Sequence, residues 1–110
     1  MLITEDRLQK SLTYIAETDE QHATAKALMK GLEKQEKTVK AKLFIEANGK
    51  GGVAEREAIV YASPEYKEWI GKYEDSIVDY EILNNKRLRE ILIIDVWRSL
   101  NSSRNKGNIV

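Results

Sequence analysis

The chain has no cysteine, one proline and one histidine. Without thiols there is no disulfide framework, no thiolate zinc site and no cysteine nucleophile. A single proline is too little punctuation for a β fold with frequent turns, and no Val/Ile/Thr-rich alternating run bounded by turn residues is present. Net charge is missing as well, because 18 basic and 18 acidic side chains cancel. That balance argues against coating nucleic acid through bulk charge, so any basic patch must be local. No run of about 18 apolar residues occurs, and the opening MLITEDRLQK lacks an apolar segment behind a basic start. The expectation is a soluble intracellular chain with no membrane partner.

What is present is helical pattern. One third of the residues are charged, a composition that suits long, solvent-flanked helices. The run from Pro64 to Asn101 organises the rest. Ser63 is a good N-cap, and Pro64 suits the first helical position, where a missing N–H has no intrahelical partner to lose. Tyr66, Trp69, Tyr73, Ile77, Tyr80, Leu83, Arg87, Ile91, Ile94 and Arg98 then recur at intervals of three or four, one face of a helix. Such a helix, about 38 residues long, measures about 57 Å and exceeds the span of a compact domain of this size. Toward the N-terminus, Thr4 followed by Glu5 and Asp6 marks a helix start. Leu8, Leu12, Ile15, Asp19, His22, Ala25, Met29, Leu32, Glu36, Val39 and Leu43 form its stripe, at close to heptad spacing. Gly31 and the region of Asp19 are places where it could bend.

Asn48-Gly49-Lys50-Gly51-Gly52 ends the first helix, since Asn and Gly accept the left-handed conformation of helix C-caps. The sequence thus predicts an all-α fold: an elongated antiparallel hairpin of two long helices with a short helix at the turn, assembling into a helical bundle. The elements are a long helix over about 4–47, a turn at 48–52, a short helix over 53–62, a long helix over 64–101 and a frayed tail over 102–110, all in one domain spanning 1–110. Counting outward from the turn sets Asp19 near Asn84 and Arg87, a polar layer that would fix the register. Ile91, Leu92, Ile93, Ile94, Val96 and Trp97 put large apolar groups almost all the way round the second long helix. A helix that is apolar on every side is normally buried on every side, so these six residues are the expected homo-oligomer interface. The alternative cover is the chain's own segment from Met1 to Leu12.

Candidate chemistry is sparse. Gly49-Lys50-Gly51-Gly52 lacks the spacing and the preceding strand of a phosphate loop, and reads as a glycine-rich helix–helix turn. His22 lies on the apolar stripe without the further ligands that a metal would need, and reads as a packed histidine. The pairs Glu74/Asp75 and Asp79/Glu81 read as a solvated face making i,i+4 pairs such as Glu68 with Lys72. No catalytic residue, metal ligand or cofactor is implied, and the chain reads as a non-enzyme. Charge is nonetheless uneven. Residues 54–81 carry eight acids against three bases, residues 84–110 six bases against two acids, and residues 30–42 five lysines against two glutamates. Lys86, Arg89, Arg98, Arg104 and Lys106 are the candidate phosphate-contacting side chains.

The residues GGVAEREA at 51–58, SPEY at 63–66 and IIDVWRSLNSSR at 93–104 resemble a family of small helical phage proteins. The similarity covers residues of about 40 to 104. Members have an N-terminal helix, a GxVAEREA-like turn, a long helix containing an EY pair and a terminal Trp-Arg ending. Here that ending reads Trp97-Arg98-Ser99-Leu100-Asn101-Ser102-Ser103-Arg104, so the family's Asn-Arg pairing is interrupted. Such proteins are encoded in the early region of phage genomes, near single-strand annealing and single-stranded DNA-binding proteins. The resemblance implies a non-enzymatic accessory to DNA recombination or replication in the host cell cytoplasm, binding single-stranded DNA or a phage recombination protein. The alternative is a structural or host-protein-binding helical protein that does not touch DNA.

Overall fold

The structure, a computed structural model, describes residues 3–109, with side chains described through residue 104. Three helices follow one another: α1 Glu5–Glu46, α2 Val53–Ala62 and α3 Pro64–Ile109. The all-α class expected from the sequence is the observed one, and no strand occurs among the described residues. No helix among these residues is long and apolar enough to cross a membrane.

The helix ends are set by local chemistry. Thr4 caps α1, its Oγ1 accepting from the Arg7 backbone N–H at 3.1 Å, with Glu5 and Asp6 in the first turn facing the positive end of the dipole. α1 runs unbroken through Asp19 and Gly31. Ser63 does two jobs. Its N–H bonds the Val60 carbonyl to close α2, and its Oγ accepts from the Tyr66 N–H at 3.1 Å to open α3. At the far end of α1, the turn amides of Ala47 and Asn48 reach back to the carbonyls of Leu43 and Ile45. The carbonyl of Phe44 instead receives Arg56 Nη2 of α2 at 2.7 Å, while the guanidinium lies 3.7 Å from the centroid of the Phe44 ring. A cation at a helix C-terminus opposes the negative end of the dipole, so Arg56 ties α2 to the end of α1. α3 continues to Ile109, past Asn101 where the sequence predicts a frayed tail. Loss of apolar periodicity removes a packing partner there, but the segment has no proline to interrupt the backbone hydrogen bonds.

By packing, the chain divides into two compact units. One joins the residues up to Ala23 with those from Glu81 onward, and the other is Thr24–Tyr80. Packing of two long helices is local, each turn meeting only the turns opposite it, which is why contacts cluster along the pair. Within each unit α1 and α3 are antiparallel: contacts at 7, 18 and 22 of α1 fall on 90, 87 and 84 of α3, and in the other unit 32 and 42 meet 69 and 65.

The buried positions follow an unbroken spacing of three and four, but not at every residue that the apolar pattern selects. Ser11 and Thr18 turn inward where Leu12 and Asp19 were expected, and Ser76, Glu90 and Trp97 turn inward where Ile77, Ile91 and Arg98 were expected. In the second unit Leu43, Ala47, Val60 and Trp69 are buried, and the Trp69 indole N–H donates to the Leu32 carbonyl at 2.8 Å.

Two glycines test this account in opposite directions. Gly31 sits inside α1 with nothing within 4 Å of a would-be Cβ, so Gly31→Ala should raise stability by about 0.5–1 kcal/mol. Gly51 has φ +114° and its Cβ would run into the Glu55 side chain, so Gly51→Ala should lower stability by at least about 1 kcal/mol. Thermal melts of the two variants should move apart; melts that shift in the same direction would refute the assigned turn geometry.

Candidate functional site

Between α1 and α3 of the first unit, long polar side chains enter the packed seam. Arg7 Nη2 lies 2.8 and 2.7 Å from the two carboxylate oxygens of Glu90. Its Nη1 donates to Ser11 Oγ at 2.8 Å, and that hydroxyl is 3.1 Å from Glu90 Oε2. Ser11 is 0 % exposed; a leucine at this position would occupy the space in which the carboxylate and guanidinium meet. Arg87 comes next along α3 and is 8 % exposed. Its Nη1 donates to the Ile15 carbonyl at 2.9 Å and to Thr18 Oγ1 at 2.7 Å, and its Nη2 is 3.4 Å from Asp19 Oδ1. The His22 ring Nε2 and Asn84 Oδ1, 3.0 Å apart, complete the row. The expected polar layer is thus spread over several turns. Arg87 meets Asp19, Asn84 instead meets His22, and the Arg7–Ser11–Glu90 trio was not foreseen. The only hint in the sequence was that small polar residues occupy seam positions. These groups satisfy one another, so the row reads as structural.

The six residues predicted as an oligomer interface divide. Ile93, Ile94 and Trp97 are half-buried, and Trp97 lines a groove with Ile3, Thr4 and Glu5. Of the segment from Met1 to Leu12, the alternative cover, Ile3, Thr4 and Glu5 thus lie beside Trp97. Ile91, Leu92 and Val96 remain exposed, Leu92 at 61 %. Leu88 and Leu100, not foreseen, are exposed too, and four-residue steps from 88 to 100 set Leu88, Leu92, Val96 and Leu100 along one side of α3. Of the candidate phosphate contacts, Arg89 lies in the same sector of the helix. Lys86 and Arg104 are about 60° further round, and Arg98 is on the far side, 3.9 Å from Asp95. Lys86, Arg89 and Arg104 make no ion pair with a described residue. The side chain of Lys106 lies outside the described residues.

The second unit carries a different surface. Lys26, Lys30, Lys34 and Lys37 are exposed on α1 and make no ion pair with a described residue. Lys40 bonds Glu36 at 2.6 Å, and its ammonium is 5.3 Å from the Tyr61 ring centroid. The hydrogen bond to Glu36 and, to a smaller degree, the neighbouring Tyr61 hold Lys40 above the ordinary lysine value despite some desolvation, so it is charged at neutral pH. Lys42 is likewise held above that value by Glu65, 3.2 Å away. An aromatic row follows: Tyr61 and Tyr66 edge to face at 5.2 Å, Tyr66 and Trp69 at 5.6 Å, Trp69 and Tyr73 stacked at 5.6 Å. Among the described residues, no group of three or more His, Asp or Glu side chains is placed to hold a metal ion. No protein-family model matches the chain, and no curated protein or solved structure is significantly similar to it.

The two partners of the Arg87–Asp19 contact should respond unequally. Asp19 has a side chain 80 % exposed, so Asp19→Ala should change stability by no more than about 0.5 kcal/mol. Arg87→Ala empties a buried position and leaves Thr18 and the Ile15 carbonyl without this donor, a loss of about 1–3 kcal/mol. Urea melts giving equal losses would show that the ion pair, not the buried donor, holds the seam.

Proposed function

We propose that this chain is a non-enzymatic phage accessory protein for DNA recombination or replication. It self-associates through the outward side of α3 and contacts DNA with the basic side chains beside that side. The observation that carries the reading is the exposed line of Leu88, Leu92, Val96 and Leu100 with Arg89 set among them and Lys86 and Arg104 on its flank. Burial of a large aliphatic side chain stabilises by about 1.5–3 kcal/mol, and monomeric proteins seldom leave such a line contiguous and uncovered. A two-fold pairing is the simplest closed arrangement, because one patch then serves both subunits. Arginine and lysine that make no ion pair with a described residue, beside such an interface, would present phosphate-binding groups from both copies. The resemblance of residues 51–58, 63–66 and 93–104 to phage early proteins supports the setting.

Light scattering at micromolar concentration should give at least twice the 12.6 kDa chain mass, and Leu92→Glu with Val96→Glu should reduce it while leaving the helical circular dichroism intact. A monomeric unmodified protein would overturn the self-association. DNA affinity that falls steeply with salt is expected; its absence at low salt would favour the structural or host-protein-binding reading instead.

A further inference from the structure

The second unit carries a line of lysines that the fold itself does not use. Lys26, Lys30, Lys34 and Lys37 recur at steps of four, four and three, which places them on one side of α1 over about 16 Å. All are exposed, and none is neutralised by a described carboxylate. Residues 26–42 hold six lysines against Glu33 and Glu36, and Glu36 is already engaged by Lys40. This concentration of charge has no counterpart in the chain's zero net charge, and an intramolecular role is missing for it. Like charges at i,i+4 destabilise an isolated helix slightly, so the arrangement is tolerated rather than required by the fold.

The lysine line does not end in open surface. Lys30, Lys34, Lys37 and Lys40 border one shallow groove along α1, together with Glu33 and Glu36. Lys40 also borders the next, whose remaining walls are Ala41, Phe44, Glu57, Val60 and Tyr61. That second groove is lined mainly by apolar side chains with an aromatic ring on either helix, α1 and α2, Arg56 lying over the Phe44 ring at 3.7 Å and Lys40 over the Tyr61 ring at 5.3 Å. Tyr61 is 50 % exposed; Glu57 supplies a hydrogen-bond acceptor at the rim. A row of cations leading into an aromatic-walled slot is the pairing of features by which single strands are held. Phosphates follow the charge, and an unstacked base finds a flat apolar partner. In a duplex the bases are stacked on one another and cannot enter.

The geometry points to a single-stranded nucleic-acid site on the second unit, with Lys30, Lys34 and Lys37 tracking the phosphates and a base seated against Tyr61 beside Phe44. This rests on the DNA-contact reading above but relocates its principal contact from α3 to α1. Glu33 remains among the lysines and would oppose a phosphate placed directly on it, which confines the backbone path to the Lys30–Lys34–Lys37 side.

Fluorescence anisotropy with a labelled oligothymidine tests it on the full chain. The unmodified protein should bind with a log K against log salt slope of about −2 to −3, since each phosphate contact on a single strand contributes about −0.7. Lys30→Gln, Lys34→Gln and Lys37→Gln together should weaken binding at least about tenfold and flatten that slope to between about 0 and −1. Tyr61→Leu should weaken it at least about fivefold, and Tyr61→Phe should restore it. Circular dichroism should be unchanged in all of them, since the three lysines and Tyr61 are exposed and the lysines make no ion pair with a described residue. If the triple variant binds as tightly as the unmodified protein while Lys86→Gln with Arg89→Gln and Arg104→Gln does not, this site is overturned and DNA contact through α3 stands. Failure of the unmodified protein to bind any oligonucleotide at low salt overturns both. Tighter binding to duplex than to single strand, or to anionic vesicles than to either, would also overturn it.

Discussion

A guanidinium taken out of water must find acceptors, and much of the first unit is arranged around that requirement. Arg87 is almost fully buried against α1, where one mainchain carbonyl and one threonine hydroxyl receive its Nη1. Both acceptors lie on one turn of α1, so a slip of the helices by a single residue would leave the charge without them. Removing one partner from a buried charge is far more damaging than removing an exposed pair. The register of α1 against α3 is therefore specified by satisfaction of polar groups as much as by fit of apolar ones. Arg7 and Glu90 repeat the device further along, with Ser11 small enough to admit them.

The second unit is held differently. Its buried groups are mainly apolar, Trp69 is anchored by its indole N–H, and Arg56 closes the end of α1 from outside. A helical pair fixed by packing and caps can leave its outer side free of structural duty. That is where the unneutralised lysines stand, continuous with the slot between Phe44 and Tyr61. In the first unit the outer side of α3 is apolar instead. The two units thus expose surfaces of different chemistry, one cationic and one aliphatic.

Much was legible in the chain because it depends on local chemistry. Helix class, the Thr4 and Ser63 caps, Pro64 at the first position and the glycine turn follow from backbone preferences and periodicity. These act over a few residues and need no partner. The depth of Arg87 beside Asp19 could be counted outward from the turn. What misled was the assumption that the most apolar residue near each seam position turns inward. The apolar pattern selects Leu12, Ile77 and Ile91, where Ser11, Ser76 and Glu90 are the more buried. A small or charged residue carries little hydrophobic signal, yet a seam that must hold arginines favours small neighbours.

The sequence by itself determined that the chain is helical, where two of its helices begin, where its turn lies and how its charge is distributed along the chain. Only the tertiary structure decided which side of each helix faces inward, because that depends on what the opposite helix brings to the seam. It also decided which cations are spent. Arg7 and Arg87 are engaged inside, Arg98 lies near Asp95, and Lys40 is shared between Glu36 and Tyr61. Lys26, Lys30, Lys34 and Lys37 make no ion pair with a described residue, and this separation of charges arises from distances between side chains far apart along the chain.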